Sequence, residues 1–204
     1  MLSLQSLTFA INRRVFFKNI SISFLPSAIV HIRGKNGSGK TAFIRMLAGI
    51  QAPTSGKITF SKKALPISLL KKPYCTYIGH NLAIKAELTV IENITFWAKL
   101  HDSEMLVEAA LRYFQLKDIA KQKCSELSAG NQKKVALARL IACQSKLWLL
   151  DEVDTNLDKE NQELMIKLIL SHANNGGMVF FVSHNETPIK TVQNIYLSDF
   201  NQMT

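Results

Sequence analysis

The sequence predicts an α/β fold with a mostly parallel sheet, an antiparallel β element ahead of it and a helical segment inserted midway. Three observations carry that expectation. Short, largely apolar runs recur at 28–32, 147–150 and 178–182, each the length of a strand buried on both faces. Helical patterns accompany these runs at 41–48, 129–143 and 158–173. Residues 2–25 instead alternate apolar with polar, at Leu2, Leu4, Leu7, Phe9 and then Ile20, Ile22, Phe24. Such alternation marks half-buried strands.

Taken in order, Asn12-Arg13-Arg14 punctuates the first stretch as a turn between two antiparallel strands. A strand at 28–32 runs into a glycine-rich loop, and the helix at 41–48 is stopped by Gly49. Pro53-Thr54-Ser55-Gly56 is a turn before a strand at 57–60. Residues 62–73 form a basic connector, and a strand at 74–78 ends at Gly79-His80. The pattern then becomes helical. Thr89-Val90-Ile91-Glu92 is a capping box ahead of Ile91, Ile94, Trp97 and Ala98, and Asp102 or Ser103 can cap a second helix carrying Leu106, Ala109, Ala110, Tyr113 and Phe114. From Leu127 the core pattern returns: a helix at 129–143, a strand at 147–150, a helix at 158–173 closed by Asn174-Asn175-Gly176-Gly177, a strand at 178–182 and a last strand at 194–197. The expected organisation is one domain, 1–204, with 1–81 and 127–204 forming the core and 82–126 a helical subdomain.

The loop between the second strand region and its helix reads Gly34-Lys35-Asn36-Gly37-Ser38-Gly39-Lys40-Thr41, which is G-x-x-x-x-G-K-[ST] in the strand–loop–helix setting that motif requires. Its glycines let several backbone N–H groups converge on a phosphate, and the helix N-terminus adds partial positive charge there. Lys40 can reach β- and γ-phosphates, and the Thr41 hydroxyl can ligate Mg²⁺. This loop is expected to bind a nucleoside triphosphate. Four more elements are expected to join it. Asp151 and Glu152 close an apolar strand, where an α/β sheet presents ligand groups; Asp151 suits Mg²⁺ and Glu152 suits polarising water. Ser128-Ala129-Gly130 opens a helix with a good N-cap and room for a close approach. Asn156-Leu157-Asp158 is a short loop after the acids, and His184 follows Ser183 at a strand end, where it can donate to a phosphate.

The ordered set GKNGSGKT, LSAGN, LWLLDE, NLD and SH resembles the nucleotide-binding subunit of ATP-binding cassette (ABC) transporters along essentially the whole chain. The resemblance implies ATP and Mg²⁺ as ligands and a head-to-tail homodimer formed with ATP. In it Ser128, Ala129 and Gly130 would touch the γ-phosphate from the opposite copy, Asp158 would bridge copies, and His184 would sense the γ-phosphate. Tyr77-Ile78-Gly79-His80, Ile84-Lys85-Ala86-Glu87-Leu88-Thr89, Glu92-Asn93-Ile94 with Phe96, and the run Val135-Ala136-Leu137-Ala138-Arg139-Leu140 are similar to a narrower group, the haem exporter ATPases of cytochrome c maturation. That group implies integral-membrane partners and a peripheral place on the cytoplasmic face of the cell membrane. His80 stands where most of the wider family carries a glutamine that approaches Mg²⁺. Nitrogen suits Mg²⁺ poorly, so His80 is expected to act through hydrogen bonds. Asn131 and Val153 depart from the usual glutamine and proline. The adenine-stacking aromatic should fall near Ile11 and does not, leaving Phe9 and Phe16 as neighbours whose alternation suggests core.

Bulk properties limit the alternatives. The chain has 204 residues, 47% hydrophobic and 20% charged, ample for a real core. No apolar run nears the roughly 18 residues of a membrane span, and the N-terminus with Arg13, Arg14 and Lys18 does not read as a signal peptide. Cys75, Cys124 and Cys143 lie far apart and read as reduced thiols. A net charge of +10 is compatible with nucleic acid or an anionic membrane surface, but the cations are dispersed, so no nucleic-acid partner is expected. The competing readings are the ATPase of another small exporter, for lipoproteins or peptides, a soluble ABC ATPase outside transport, and a nucleotide-binding regulatory subunit without turnover.

Overall fold

The first two strands hold together because their alternation is matched across the pair. In the computed structural model, which describes residues 1–60, 63–64, 74–155 and 157–201, β1 (Leu2–Ile11) pairs antiparallel with β2 (Arg14–Phe24). Asn12 and Arg13 make the connection with φ of 48° and 67°, the mirror-image two-residue turn whose twist suits a hairpin. Arg14, expected in the turn, already belongs to β2. β1 also pairs antiparallel with β4 (Ser55–Phe60), which begins two residues earlier than the turn signal suggested. The short β5 (Lys63–Ala64) completes a sheet of order β2-β1-β4-β5. The rest of the expected basic connector lies outside the described residues.

The second sheet contains β3 (Ile29–Arg33), β6 (Cys75–Ile78), β7 (Leu147–Asp151), β8 (Met178–Val182) and β9 (Gln193–Tyr196), in the order β6-β7-β8-β3-β9. Every pairing in it is parallel. β7 and β8 are buried at every position, as continuous apolar runs require when both faces are covered. Pleating sends Leu147, Leu149 and Phe180 to one side, where they join α1 (Lys40–Leu47) and the antiparallel sheet. Trp148, Leu150 and Phe181 go to the other side and meet the remaining helices.

Those helices are α2 (Val90–Lys99), α3 (Val107–Tyr113), α4 (Ala129–Ala142) and α5 (Lys159–Asn174). The Thr89 capping box is formed in full, with Glu92 Oε2 accepting from Thr89 N at 2.8 Å. The second expected helix is split: a 3₁₀ turn at Glu104–Leu106 precedes α3, and Ala109 is exposed. Ser103 gives no side-chain cap. Its hydroxyl is buried and donates to the Ala142 carbonyl at 2.6 Å, fixing the end of α4 instead. α2 and α3 both pack on α4, so residues 82–126 share one apolar cluster with that helix and with the sheet. Among the described residues no helix is long and apolar enough to cross a membrane.

Candidate functional site

Parallel pairing puts the C-terminal ends of β3, β6, β7 and β8 on one edge of the sheet, the edge where such sheets bind ligands. The loop 34–41 lies there. Gly39 is the N-cap of α1 at φ 96°, a conformation that disfavours a side chain, and a Cβ there would sit 3.2 Å from Phe16 Cβ. No side chain caps α1 and no acid lies in its first turn, so its leading N–H groups remain available to an anion. Lys40 is buried, and its Nζ donates to the carbonyls of Gly34 at 2.9 Å and Lys35 at 3.3 Å. The buried Ser38 Oγ has no partner. Two clefts of about 580 and 570 Å³ meet at this loop, sharing Phe16, Asn36, Gly37 and His184.

Asp151 ends β7 beside Thr41, whose hydroxyl donates to Oδ1 at 3.2 Å. Its other oxygen, Oδ2, is buried without a partner. Burial raises this carboxyl above the usual range; the Thr41 hydrogen bond and the nearby His80 pull it back, and Glu152 adds to the rise. An orphaned carboxylate oxygen beside a hydroxyl is a hard-oxygen donor set that suits Mg²⁺. Among the described residues no group of three His, Cys, Asp or Glu forms a metal cage.

Glu152 follows at φ 56°, a left-handed backbone fixed by its N–H donating to the Val182 carbonyl at 3.0 Å. Its carboxylate meets two histidines, His80 Nε2 on Oε2 and His184 Nε2 on Oε1, each at 3.1 Å. The loop carrying His184 is tied to the segment after the acids. Asp154 Oδ2 accepts from Ser183 Oγ at 2.5 Å and from Asn185 Nδ2 at 2.9 Å. Lys133 of α4 grips the same segment through the Thr155 carbonyl and hydroxyl. Sequence reasoning missed both ties, because nothing in the spacing of 133, 154 and 183 announces that they meet.

Not every expected residue joins this edge. Ser128 caps α4, its Oγ accepting from Asn131 N at 3.3 Å, and Ser128, Ala129 and Gly130 are all exposed and line neither cleft. A Cβ on Gly130 would come no closer than 4.0 Å to any neighbour, so nothing within this chain requires a glycine there. Asp158 is likewise exposed and caps α5 through Asn161 N at 2.8 Å. Asn156 lies outside the described residues.

On the side where a base would sit, Phe9 is buried as alternation suggested, whereas Phe16 is only half-buried and lines both clefts. The Arg14 guanidinium stands 4.9 Å from its ring centre, and Arg14 also donates to the Gly37 carbonyl at 3.4 Å. Ile11, 48% exposed, lines the second cleft. Val153 fills core where the related pattern has proline.

A nucleotide loop, an acidic strand end and a strand-terminal histidine on one edge of a parallel sheet define a P-loop nucleotide-binding protein. The chain belongs to the ABC transporter family, whose sequence profile matches residues 17–155. It is 53% identical over 198 residues to the cytochrome c biogenesis ATP-binding export protein CcmA of Rickettsia bellii, covering 97% of this chain and 100% of that one. To the protein of the same name from Haemophilus influenzae it is 34% identical, covering 98% and 96%. In fold it matches an ABC transporter ATP-binding protein from Pyrococcus furiosus at a TM-score of 0.82 and 20% identity, over 98% of this chain and 99% of the other. A second match, at 0.79 and 20% identity over 91% and 88%, is a dimeric ATP-binding cassette in a post-hydrolysis state with ADP and phosphate bound.

Proposed function

We propose that this chain hydrolyses ATP as the cytoplasmic, membrane-peripheral subunit of an ABC exporter, the one serving haem export in cytochrome c maturation. The observation that carries the hydrolytic part is the meeting of Thr41, Asp151, Glu152 and His184 at one sheet edge. The similarity to the Rickettsia and Haemophilus export proteins supports the particular pathway.

In this reading Lys40 leaves the Gly34 and Lys35 carbonyls for the β- and γ-phosphates, and the free N–H groups of α1 face the same charge. Thr41 and the unpartnered Asp151 Oδ2 would hold Mg²⁺, which would supply positive charge toward the phosphates. Glu152 orients and deprotonates the attacking water, and His184 turns to the terminal phosphate. Exposed Ser128, Ala129 and Gly130 supply the second wall from another copy, so ATP joins two chains head to tail across both sites. Asp158 lies at that dimer contact.

The membrane partner docks on the insertion side. Ile91 and Phe96 are exposed apolar residues of α2, with Lys85 Nζ 4.7 Å from the Phe96 ring centre. Asn93 of the same helix faces inward. Its amide donates to the carbonyls of Lys85 and Leu88 and its Oδ1 accepts from Lys85 N, which pins the loop ahead of α2.

Two measurements test the proposal. Lys40→Ala should lose tight ATP binding, because the buried cation facing the phosphates is gone. With Cys75, Cys124 and Cys143 changed to serine, single cysteines at Ala83 or Phe96 should crosslink to a multi-span membrane partner, and one at Asn174 should not. Equal crosslinking at Asn174 and Ala83 overturns the docking face.

A further inference from the structure

Glu152 is gripped on its solvent side by rings from two separate parts of the chain. His80 follows β6 and His184 follows β8, and their Nε2 atoms lie 3.1 Å from Oε2 and Oε1 respectively. The carboxylate is 17% exposed while the two histidine side chains are 64% and 51% exposed. A carboxylate only accepts, and a neutral imidazole offers one N–H, so each ring engages one lone pair on one oxygen. Each oxygen keeps a second lone pair, and the two rings together fix where those lone pairs point.

Two further points distinguish the rings. In the ATPase reading His184 also has the terminal phosphate as a destination, whereas the loop at Asn81 to Lys85 is anchored locally. Asn81 Oδ1 accepts from Ala83 N at 3.0 Å, and Asn93 holds Lys85 from both sides. The Glu152 side chain has three free torsions, and a general base must be held within about 0.5 Å of its working position. The left-handed backbone at Glu152 fixes where the side chain starts, not where its carboxylate ends.

We propose that His80 is a positioning residue for Glu152. It keeps Oε2 throughout, while His184 releases Oε1 as it turns to ATP. Oε1 then takes a proton from the attacking water; the water oxygen bonds to the γ-phosphorus, the bond from that phosphorus to the β–γ bridging oxygen breaks, and ADP leaves with the electron pair. A glutamine at this position would approach Mg²⁺ through its carbonyl oxygen, whereas the imidazole nitrogen is already committed to Glu152. The inference rests on the ATPase reading above.

The test uses the full chain with Mg²⁺ and ATP, reading kcat, KM and equilibrium nucleotide affinity. His80→Ala should lower kcat by ~10-fold or more, the scale of a misplaced catalytic group, with ATP affinity within ~2-fold. His80→Gln, whose amide can donate to the same oxygen, should recover most of the loss. In a Glu152→Gln background His80→Ala should change the residual rate by less than ~2-fold, because no base remains to be positioned. His80 is an exposed loop residue, so its truncation leaves no cavity, and matched melting curves verify the fold. A wild-type kcat in His80→Ala overturns the inference, as does an equal loss in the Glu152→Gln background or a His80→Gln variant as slow as His80→Ala. A wild-type chain that neither binds nor hydrolyses ATP overturns the ATPase reading and the inference with it.

Discussion

Thr41 and Asp151, 110 positions apart, meet through a hydroxyl-to-carboxylate hydrogen bond of 3.2 Å that joins the start of α1 to the end of β7. The bond uses one carboxylate oxygen and leaves the other buried and unpartnered. A charged oxygen kept out of water without a partner costs stability, and a site keeps such a group when a ligand completes it.

Asp151→Asn should therefore stabilise the free protein while weakening its use of Mg²⁺. Burial raises the Asp151 carboxyl, so the fold favours its protonated form. That contribution is complete below the unfolded carboxylate pKa and is lost as pH rises through the raised folded value, so at neutral pH the ion is a burden. A gain of about 1 kcal/mol, or ~2–4 °C in Tm, is expected without nucleotide, together with a large rise in the Mg²⁺ needed for hydrolysis. A Tm below wild type in calorimetry would count against a strained carboxylate.

Glu152→Gln should keep ATP binding and slow hydrolysis by at least ~10², the low end for a lost general base. With turnover blocked, ATP and Mg²⁺ should move the chain from monomer toward dimer. Gly130→Trp should stop that shift without unfolding the chain, since Gly130 is exposed and a Cβ there would meet nothing nearer than Ser128 Oγ at 4.0 Å. Sedimentation at one unchanged mass with and without ATP for Glu152→Gln contradicts the shared site.

Base selectivity should be weak. Ile11 offers no ring, and Phe16 at the cleft edge, with the Arg14 guanidinium 4.9 Å from its ring centre, offers a ring that would stack on any base. ATP and GTP should bind within ~10-fold of each other, about what 1.4 kcal/mol supplies. Phe16→Ala should weaken both by a similar factor of ~10. A preference of several hundredfold in competition binding would reveal a base-reading contact elsewhere.

Acid should destabilise the fold partly through His172. Its ring stacks on Trp148 at 3.6 Å between centroids and 5° between planes, and burial pushes its pKa down to about 4. Burial lowers His31 as well. The unfolded chain binds these protons near pH 6.5 and the folded chain does not. Their contribution is therefore complete above about 6.5 and is lost as pH falls toward 4. Melting temperatures across that window should fall by ~5 °C or more, and His172→Phe, which keeps the stack, should flatten part of the slope. An unchanged slope in His172→Phe would remove His172 from the account.

Much of the fold was readable from local pattern. The apolar run 147–150 of β7 and the fully apolar β8 read as strands covered on both faces, and the Thr89 box started α2 where its chemistry says. The misreadings came where tertiary contact outweighed a local signal. Ser103 resembles a helix cap but turns inward to the Ala142 carbonyl. Phe16 alternates as core would, yet stands at the cleft because β2 ends the antiparallel sheet beside the phosphate loop.

The sequence by itself determined the phosphate loop, the two acids at the end of β7 and the order of strands and helices, because each depends on residues within a few positions of one another. Only the tertiary structure decided what those groups touch. The parallel register sets Glu152 between His80 and His184, lays Asp151 against Thr41, and leaves Ser128 to Gly130 facing outward. Such contacts join residues from separate strand ends, and their geometry follows from how the sheet is ordered and packed.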